Sequence, residues 1–309
     1  MAFAAEPYDA VTAATWLLCV TCGTQFPTAD RAAVKTCHVC DDPRQFVPAS
    51  GQSFTTLGDV AKTHRNEFTP CASDPRVTFI ATTPKLAIGQ RAVLVQTPAG
   101  NVLWDCISLL DADTVAEIRR RGGLGAIVIS HPHFYSTHVQ WARAFACPVY
   151  LAAEDRAWTT TASAHQVFLE DAETRIGDAG ATAIKLGGHF PGSMVLLFDG
   201  HLLIADTLMT TASGVGSWDA DAAGAARTRP PGLNSFAFLY SIPNFIPLSV
   251  AEMARMWATL RRYDFRETHG GFAGMDIVDV RVKQRVLESM QIQARHMGHE
   301  DEFVKLIAQ

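Results

Sequence analysis

Apolar residues recur along the chain with two periods, which predict alternating strands and helices. Short apolar runs bounded by Gly, Pro or polar residues predict strands at residues 77–83, 91–97, 101–106, 126–129, 148–152, 182–186, 194–198, 201–205 and 265–268. Apolar positions three and four apart predict helices at residues 111–121, 136–146, 249–262 and 278–297. The dipeptide Asp199-Gly200 predicts a two-residue hairpin turn. This order of elements predicts an α/β fold.

Two stretches lack such a period. Residues 51–75 are rich in Gly, Ser, Thr and Pro, which predicts a connector over the surface. The sequence thus divides into a module at 1–50, the connector, and a larger domain at 76–309. Residues 207–248 predict a long loop with several aromatic rings, which would form an apolar lid or complete the core. Exposed rings there would also suit a homodimer interface.

Composition narrows the classes of partner. Charged residues make up 18% of the 309-residue chain and hydrophobic residues 48%, which predicts a compact globular protein. The net charge of −5 offers no basic surface for nucleic acid. The N-terminus carries acids instead of the basic residues of a secretory signal, and no run of 18 apolar residues occurs, so we expect a cytoplasmic protein with no membrane span.

Four of the seven cysteines lie in two CxxC pairs, Cys19 with Cys22 and Cys37 with Cys40. Two such pairs, separated by 14 residues, have the spacing of a tetrahedral zinc site. The segment resembles a zinc ribbon or a rubredoxin-like module. Four thiolates leave no open position for a substrate, so this Zn²⁺ is expected to be structural, or the module to serve docking.

Four further features carry candidate metal ligands. His131 and His133 follow a buried strand, His189 lies in a Gly-rich turn, Asp206 ends a strand, and His269 precedes two glycines. Neutral imidazole is the commonest protein ligand of zinc, and these residues lie where strands end.

The order and context of these residues resemble the metallo-β-lactamase-fold hydrolases across about residues 76–309. The most specific part is Gly-His-Phe-Pro-Gly-Ser at 188–193, followed by the strand that ends at Asp206. The resemblance implies an αββα sandwich. It further implies the following roles: first-metal ligation by His131, His133 and His189, bridging or completion of the site by Asp206, second-metal ligation by His269, and bracing of the metal loops by Asp105.

The chain departs from the family pattern HxHxDH at its last two positions, which are Tyr135 and Ser136. Only Asp206 and His269 then remain for a second ion, which is too few unless His138 or an outside ligand joins them. We therefore expect one catalytic metal, Zn²⁺ or Fe²⁺, with water in an open position.

Such a site predicts hydrolysis of an ester, lactone, thioester or similar small substrate by a metal-bound water or hydroxide. In family members with the complete motif, the aspartate that is missing here also orients the nucleophile, so its loss is expected to lower the rate or to transfer this task to Asp206. The phenol of Tyr135 would donate to a developing oxyanion, or its ring would pack over the site. Two alternatives stay open: a mononuclear Fe(II) sulfur dioxygenase of the same fold, and a non-enzymatic metal-binding scaffold.

Overall fold

Two mixed β-sheets packed face to face form the centre of the computed structural model, which describes residues 9–308. The strands, in chain order, are β1 Leu17–Cys19, β2 Phe54–Thr56, β3 Arg65–Pro70, β4 Val77–Thr83, β5 Arg91–Val95, β6 Val102–Trp104, β7 Ala126–Val128, β8 Val149–Ala152, β9 Gln166–Leu169, β10 Glu173–Ile176, β11 Ala181–Lys185, β12 Met194–Phe198, β13 His201–Leu203, β14 Met209–Thr210, β15 Phe236–Ala237, β16 Leu239–Ser241, β17 Ile246–Pro247, β18 Glu267–His269 and β19 Asp276–Val278. The helices are α1 Ala10–Thr15, α2 Leu57–Val60, α3 Ala112–Arg120, α4 His138–Phe145, α5 Ala212–Val215, α6 Val250–Leu260, α7 Val282–His296 and α8 Glu300–Ile307, with short 3-10 turns at Pro132–Phe134 and Ala153–Trp158.

The first sheet has seven strands in the order β3-β4-β5-β6-β7-β8-β9, antiparallel from β3 to β6 and parallel from β6 to β9. The second has six in the order β10-β11-β12-β13-β18-β19, where only β13 and β18 are parallel. Two-stranded ladders join β1 to β2, β14 to β15 and β16 to β17.

Three hydrophobic cores give the fold its layers. Trp104 and Val128 of the first sheet meet Leu196 and Leu203 of the second sheet between the two. A second core lies between the first sheet and helices α3 and α4, and a third lies between the second sheet and helices α6 and α7. The order helix, sheet, sheet, helix confirms the predicted αββα sandwich.

Local sequence signals set several boundaries. Asp199 and Gly200 both have positive φ, 43° and 83°, as a type I′ turn requires between β12 and β13. Helix α3 begins after Asp111, whose side chain accepts from the Thr114 N–H. Helix α6 begins with a capping box formed by Ser249 and Glu252.

The region predicted as a connector, residues 51–75, is not a surface loop throughout. Residues 65–70 form β3, an edge strand paired with β4 along its whole length, so part of residues 51–75 belongs to the first sheet. Its apolar pattern is weak because an edge strand is largely exposed. In the long loop, Phe236 and Phe238 are fully buried in the third core, whereas Phe245 is 82% exposed.

The N-terminal module packs against the larger domain. Its core contains the four cysteines with Leu17 and Phe26, and Trp158 of the larger domain packs against it. The Gln25 N–H donates to the Ser136 carbonyl across the boundary. Within residues 9–308, no helix is both long and apolar enough to cross a membrane.

Candidate metal centre

The loop after β7 carries His131 and His133 into the interior. The Ser130 N–H donates to Oδ1 of Asp105 at 2.7 Å, which holds the start of this loop. Asp105 is fully buried and has a positive φ of 62°. Proline at the first position of the 3-10 turn Pro132–Phe134 fixes the backbone between the two histidines. The structure thus places Asp105 where a bracing residue is expected.

Four side chains from three loops converge on one point. Oδ2 of Asp206 lies 3.2 Å from Nε2 of His131, 3.7 Å from Nδ1 of His133 and 3.9 Å from Nε2 of His189. Nε2 of His189 lies 3.3 Å from Nδ1 of His133. A tetrahedral ion with ligands at about 2.0–2.1 Å separates its donors by roughly 3.3–3.4 Å. These four residues therefore fit a single ion.

Contacts on the far side of the rings favour lone pairs that face this point. Nδ1 of His131 lies 2.9 Å from the Ser130 hydroxyl, and Nδ1 of His189 lies 3.2 Å from the Leu239 carbonyl. A carbonyl only accepts hydrogen bonds, so Nδ1 of His189 carries the proton. Nε2 of His189 then has a lone pair that can bind a metal ion. Nε2 of His131 is buried and makes no hydrogen bond within the described residues, as a metal ligand would.

The charges at the site suit a cation. Burial lowers the pKa of His133 and His189, which favours neutral, ligating imidazoles. Burial alone would raise the pKa of Asp206, but the surrounding histidines, His131 above all, outweigh it and hold that pKa below its usual range. Asp206 is therefore a carboxylate. Burial raises the pKa of Asp105 to about 7.

The four cysteines of the module form a second donor group. Sγ of Cys19 lies 3.6 Å from Sγ of Cys40, and Sγ of Cys22 lies 3.6 Å from Sγ of Cys37. All four thiols are buried and none is in a disulfide. Sulfurs around a tetrahedral zinc at about 2.3 Å are roughly 3.8 Å apart. The group fits the structural ion that the spacing predicts.

Comparison with known proteins gives a family and a fold. No protein-family model matches the chain. "Uncharacterized protein YmaE" of Bacillus subtilis (strain 168) is 33% identical over 283 residues, which cover 89% of this chain and 93% of that protein. This chain belongs to the YmaE family.

Solved structures show the fold of this YmaE-family protein. The match with DIM-1 metallo-β-lactamase covers 74% of this chain and 98% of the DIM-1 chain, with 14% identity and a TM-score of 0.52. VMB-1 covers 74% and 99%, with 11% identity and a TM-score of 0.51, and TMB-1 covers 74% and 98%, with 13% identity and a TM-score of 0.50. The fold is that of the metallo-β-lactamases, as the sequence predicted.

The two positions that depart from HxHxDH have other roles in this YmaE-family protein. Tyr135 is 3% exposed and lies in the core between the first sheet and helices α3 and α4. Its hydroxyl makes no hydrogen bond within the described residues, and burial raises its pKa. Ser136 donates to the Gly23 carbonyl at 3.1 Å, which ties the N-terminal module to the ligand loop. Oxyanion donation by Tyr135 stays a prediction.

His138 is the first residue of α4 and does not belong to the metal group. Its Nδ1 lies 2.8 Å from the Tyr135 carbonyl, and its Nε2 lies 2.8 Å from the amide nitrogen of Gln166. The first contact needs a proton on Nδ1 and the second a lone pair on Nε2, so both ring nitrogens are used. Burial lowers the pKa of His138 to about 4. The structure therefore does not bring it to the site as a replacement ligand.

Phe134 fills the space between the metal group and the turn after β18. Its fully buried ring lies 5.2 Å from the His131 ring and 6.1 Å from the Phe272 ring, centroid to centroid. A Cβ on Gly271 would come within 2.7 Å of this ring. An aromatic ring thus packs beside His131 on this side.

His269 requires a correction, because the structure does not place it with the other four predicted ligands. Its Nδ1 lies 2.9 Å from Oδ1 of Asp276, and its Nε2 lies 3.0 Å from Nδ1 of His201. Both ring nitrogens are engaged away from Asp206 because His269 lies within β18 and not in the turn that follows. His201 is itself only 2% exposed.

Arg44 is a residue of this region that the sequence pattern did not reveal. Its guanidinium donates to the His189 carbonyl at 3.2 Å, lies 3.7 Å from the centre of the Phe190 ring, and is fixed by Asp42 at 2.7 Å. Arg44 follows Cys40, the last cysteine of the module, by four positions. The N-terminal module therefore covers the turn that carries His189. This contact joins distant segments, so the local sequence does not encode it.

Proposed function

We propose that this YmaE-family protein is a metal-dependent hydrolase with a single catalytic ion held by His131, His133, His189 and Asp206. The observation that carries this proposal is the convergence of three imidazole nitrogens and one carboxylate oxygen on one buried point. Zinc is the ion we propose, because three histidines and a carboxylate are among its usual ligands. Tyr135, Ser136 and His269 supply no donors to a second ion beside it.

His131, His133, His189 and Asp206 would hold a divalent ion, which would lower the pKa of a coordinated water toward ~7 and polarise a substrate carbonyl. Asp206 has two tasks in this proposal. Its Oδ2 faces the three imidazoles, whereas its Oδ1 is buried and makes no hydrogen bond within the described residues. Oδ1 is thus free to accept a hydrogen bond from the attacking water and orient it. Asp206 would thus orient the water in place of the aspartate of the HxHxDH pattern, which this chain lacks.

Burial of the site limits the substrate. His131, His133, His189 and Asp206 are each at most 2% exposed. A groove of about 580 Å³ lies beside the His189 turn, with Arg44, Lys185, Gly188 and Tyr240 among its lining residues. We propose that a small ester, lactone or thioester enters from this groove when the contact between Arg44 and the His189 carbonyl opens.

Two other functions rest on specific observations. The same burial favours a non-enzymatic scaffold, in which the ion only stabilises the fold. The donor set also suits Fe(II), which would make the protein a mononuclear dioxygenase acting on a sulfur substrate. We rank both below hydrolysis because Oδ1 of Asp206 is a buried acceptor with no partner within the described residues, as orientation of a water requires.

The test uses the full chain loaded with zinc or with iron. Hydrolysis of generic esters, lactones, thioesters and phosphodiesters is measured alongside oxygen consumption with thiol and persulfide substrates. We expect hydrolysis with zinc that His131→Ala abolishes and His299→Ala, a change at an exposed histidine, leaves intact. Oxygen consumption by the iron form without hydrolysis would favour the dioxygenase. Silence in every assay, with the ion needed only for stability, would favour the scaffold.

A further inference from the structure

A third group of metal-binding side chains lies where a loop of the first sheet meets the second sheet. It contains Cys71, which directly follows β3, His201 at the start of β13, and Glu267 and His269 of β18. All four are at most 8% exposed. It shares no residue with the four-cysteine group or the His131 group. The function proposed above does not involve it.

The register of two parallel strands brings three of these side chains together. His201 on β13 pairs with Glu267 on β18, and Leu203 pairs with His269. Positions two apart in a strand point to the same face, so Glu267 and His269 share a face beside His201. One donor atom each from Cys71, Glu267 and His269 lies within 4.8 Å of the others. Nδ1 of His201 lies 3.0 Å from Nε2 of His269 and 3.4 Å from Oε2 of Glu267.

Carboxylates on the far side of both rings set their tautomers. Nε2 of His201 lies 3.2 Å from Oδ2 of Asp74, and Nδ1 of His269 lies 2.9 Å from Oδ1 of Asp276. Each aspartate is itself held by an arginine through two or more hydrogen bonds, which keeps it ionised and oriented. A carboxylate only accepts, so each ring donates its outer proton.

Two inner lone pairs then face each other. Nδ1 of His201 and Nε2 of His269 are both acceptors at 3.0 Å, with the Glu267 carboxylate beside them. Acceptors at that distance repel one another unless a cation lies among them. Imidazoles that donate to carboxylates while their other nitrogens converge are the usual arrangement around zinc.

We propose that Cys71, His201, Glu267 and His269 bind a further zinc ion that joins the two sheets. A proton shared between His201 and His269 would also relieve the repulsion of their lone pairs. The thiol of Cys71 favours a metal instead, because sulfur together with imidazole is a zinc donor set and a thiol adds little to a proton-bridged pair. Four protein ligands close the coordination sphere, which makes this ion structural. Cys71 and His269 line a groove of about 500 Å³, which gives the ion a path from solvent.

The first test counts zinc in the full chain after loading and removal of excess ion. We expect three equivalents in the wild type, one for each donor group, and one fewer in Cys71→Ser and in His201→Asn. Cys147→Ser is the matched control, because Cys147 is also a buried free cysteine, is 2% exposed and belongs to none of the groups. Equal zinc in Cys71→Ser and Cys147→Ser would overturn the proposal.

A second test needs no variant and so does not depend on how a variant folds. Alkylation of Cys71 in the wild type is followed by peptide mass spectrometry, with zinc-loaded protein compared with protein treated with a chelator. We expect zinc to slow alkylation of Cys71 at least tenfold, because the thiolate becomes a ligand. Equal rates with and without zinc would contradict the site.

Discussion

Substitution of Gly271 by alanine tests whether packing around Phe134 positions the metal ligands. The new Cβ would lie 2.7 Å from Cζ of Phe134, so the ring must retreat by about 0.7 Å to reach an ordinary contact of 3.4 Å. The ring is fully buried between His131 and Phe272 and has little room to move. The displacement is therefore expected to reach His131.

Overpacking of this kind costs about 1–3 kcal/mol, while loss of glycine freedom in the unfolded chain returns about 0.4–1 kcal/mol. We expect Gly271→Ala to lower the free energy of unfolding by about 1–2 kcal/mol and to weaken zinc binding roughly tenfold, as other changes around metal ligands do. Gly125→Ala is the control, because a Cβ there meets nothing closer than 3.4 Å.

The assay is urea unfolding of the zinc-loaded protein, followed by circular dichroism, together with zinc competition against a chelator. Adding Phe134→Leu to Gly271→Ala removes the clashing ring atoms, so the double variant should be more stable than the sum of the single effects. Wild-type stability in Gly271→Ala, or strict additivity in the double variant, would refute this account of the packing.

Three shorter predictions follow from other contacts. Tyr135→Phe removes a buried hydroxyl that makes no hydrogen bond within the described residues, so stability should not fall; a loss of turnover of about 100-fold would assign the oxyanion role, and unchanged turnover would assign the ring to the core. Glu117→Gln removes the partner of Arg120 and Arg121, which lower the pKa of Glu117 to about 2. A lowered pKa stabilises the fold above pH ~4.5. The free energy of unfolding should therefore be lower in Glu117→Gln than in the wild type by at most about 1 kcal/mol at such pH values. In urea titrations this difference should shrink as the pH falls from ~4.5 toward ~2. Cys40→Ser should release the ribbon ion and speed amide exchange at residues 17–26, and unchanged exchange would argue against a structural ion.

Local signals in the sequence account for much of the fold. The Asp199-Gly200 turn and the cap at Asp111 depend on neighbouring residues only, and both occur where the pattern predicts them. The strands that lead to His131 and Asp206 carry continuous apolar runs because they are buried on both faces. These elements bring together the four side chains of the candidate metal group.

Contacts between distant segments could not be predicted in the same way. The edge strand β3 has too few buried residues to show a period. His269 is the last residue of β18, and its environment depends on contacts with His201, which is distant in sequence, and with Asp276. The position of Arg44 over the His189 turn depends on how the module packs on the larger domain.

The central claim is that one ion is held by His131, His133, His189 and Asp206. The most direct test is the difference in bound metal between wild type and the double variant His131→Ala/His189→Ala, each loaded with zinc and freed of excess ion. This difference does not depend on ions held elsewhere in the chain. The account predicts a loss of one equivalent with the four-cysteine ion retained. A loss of two equivalents, or of none, would contradict it.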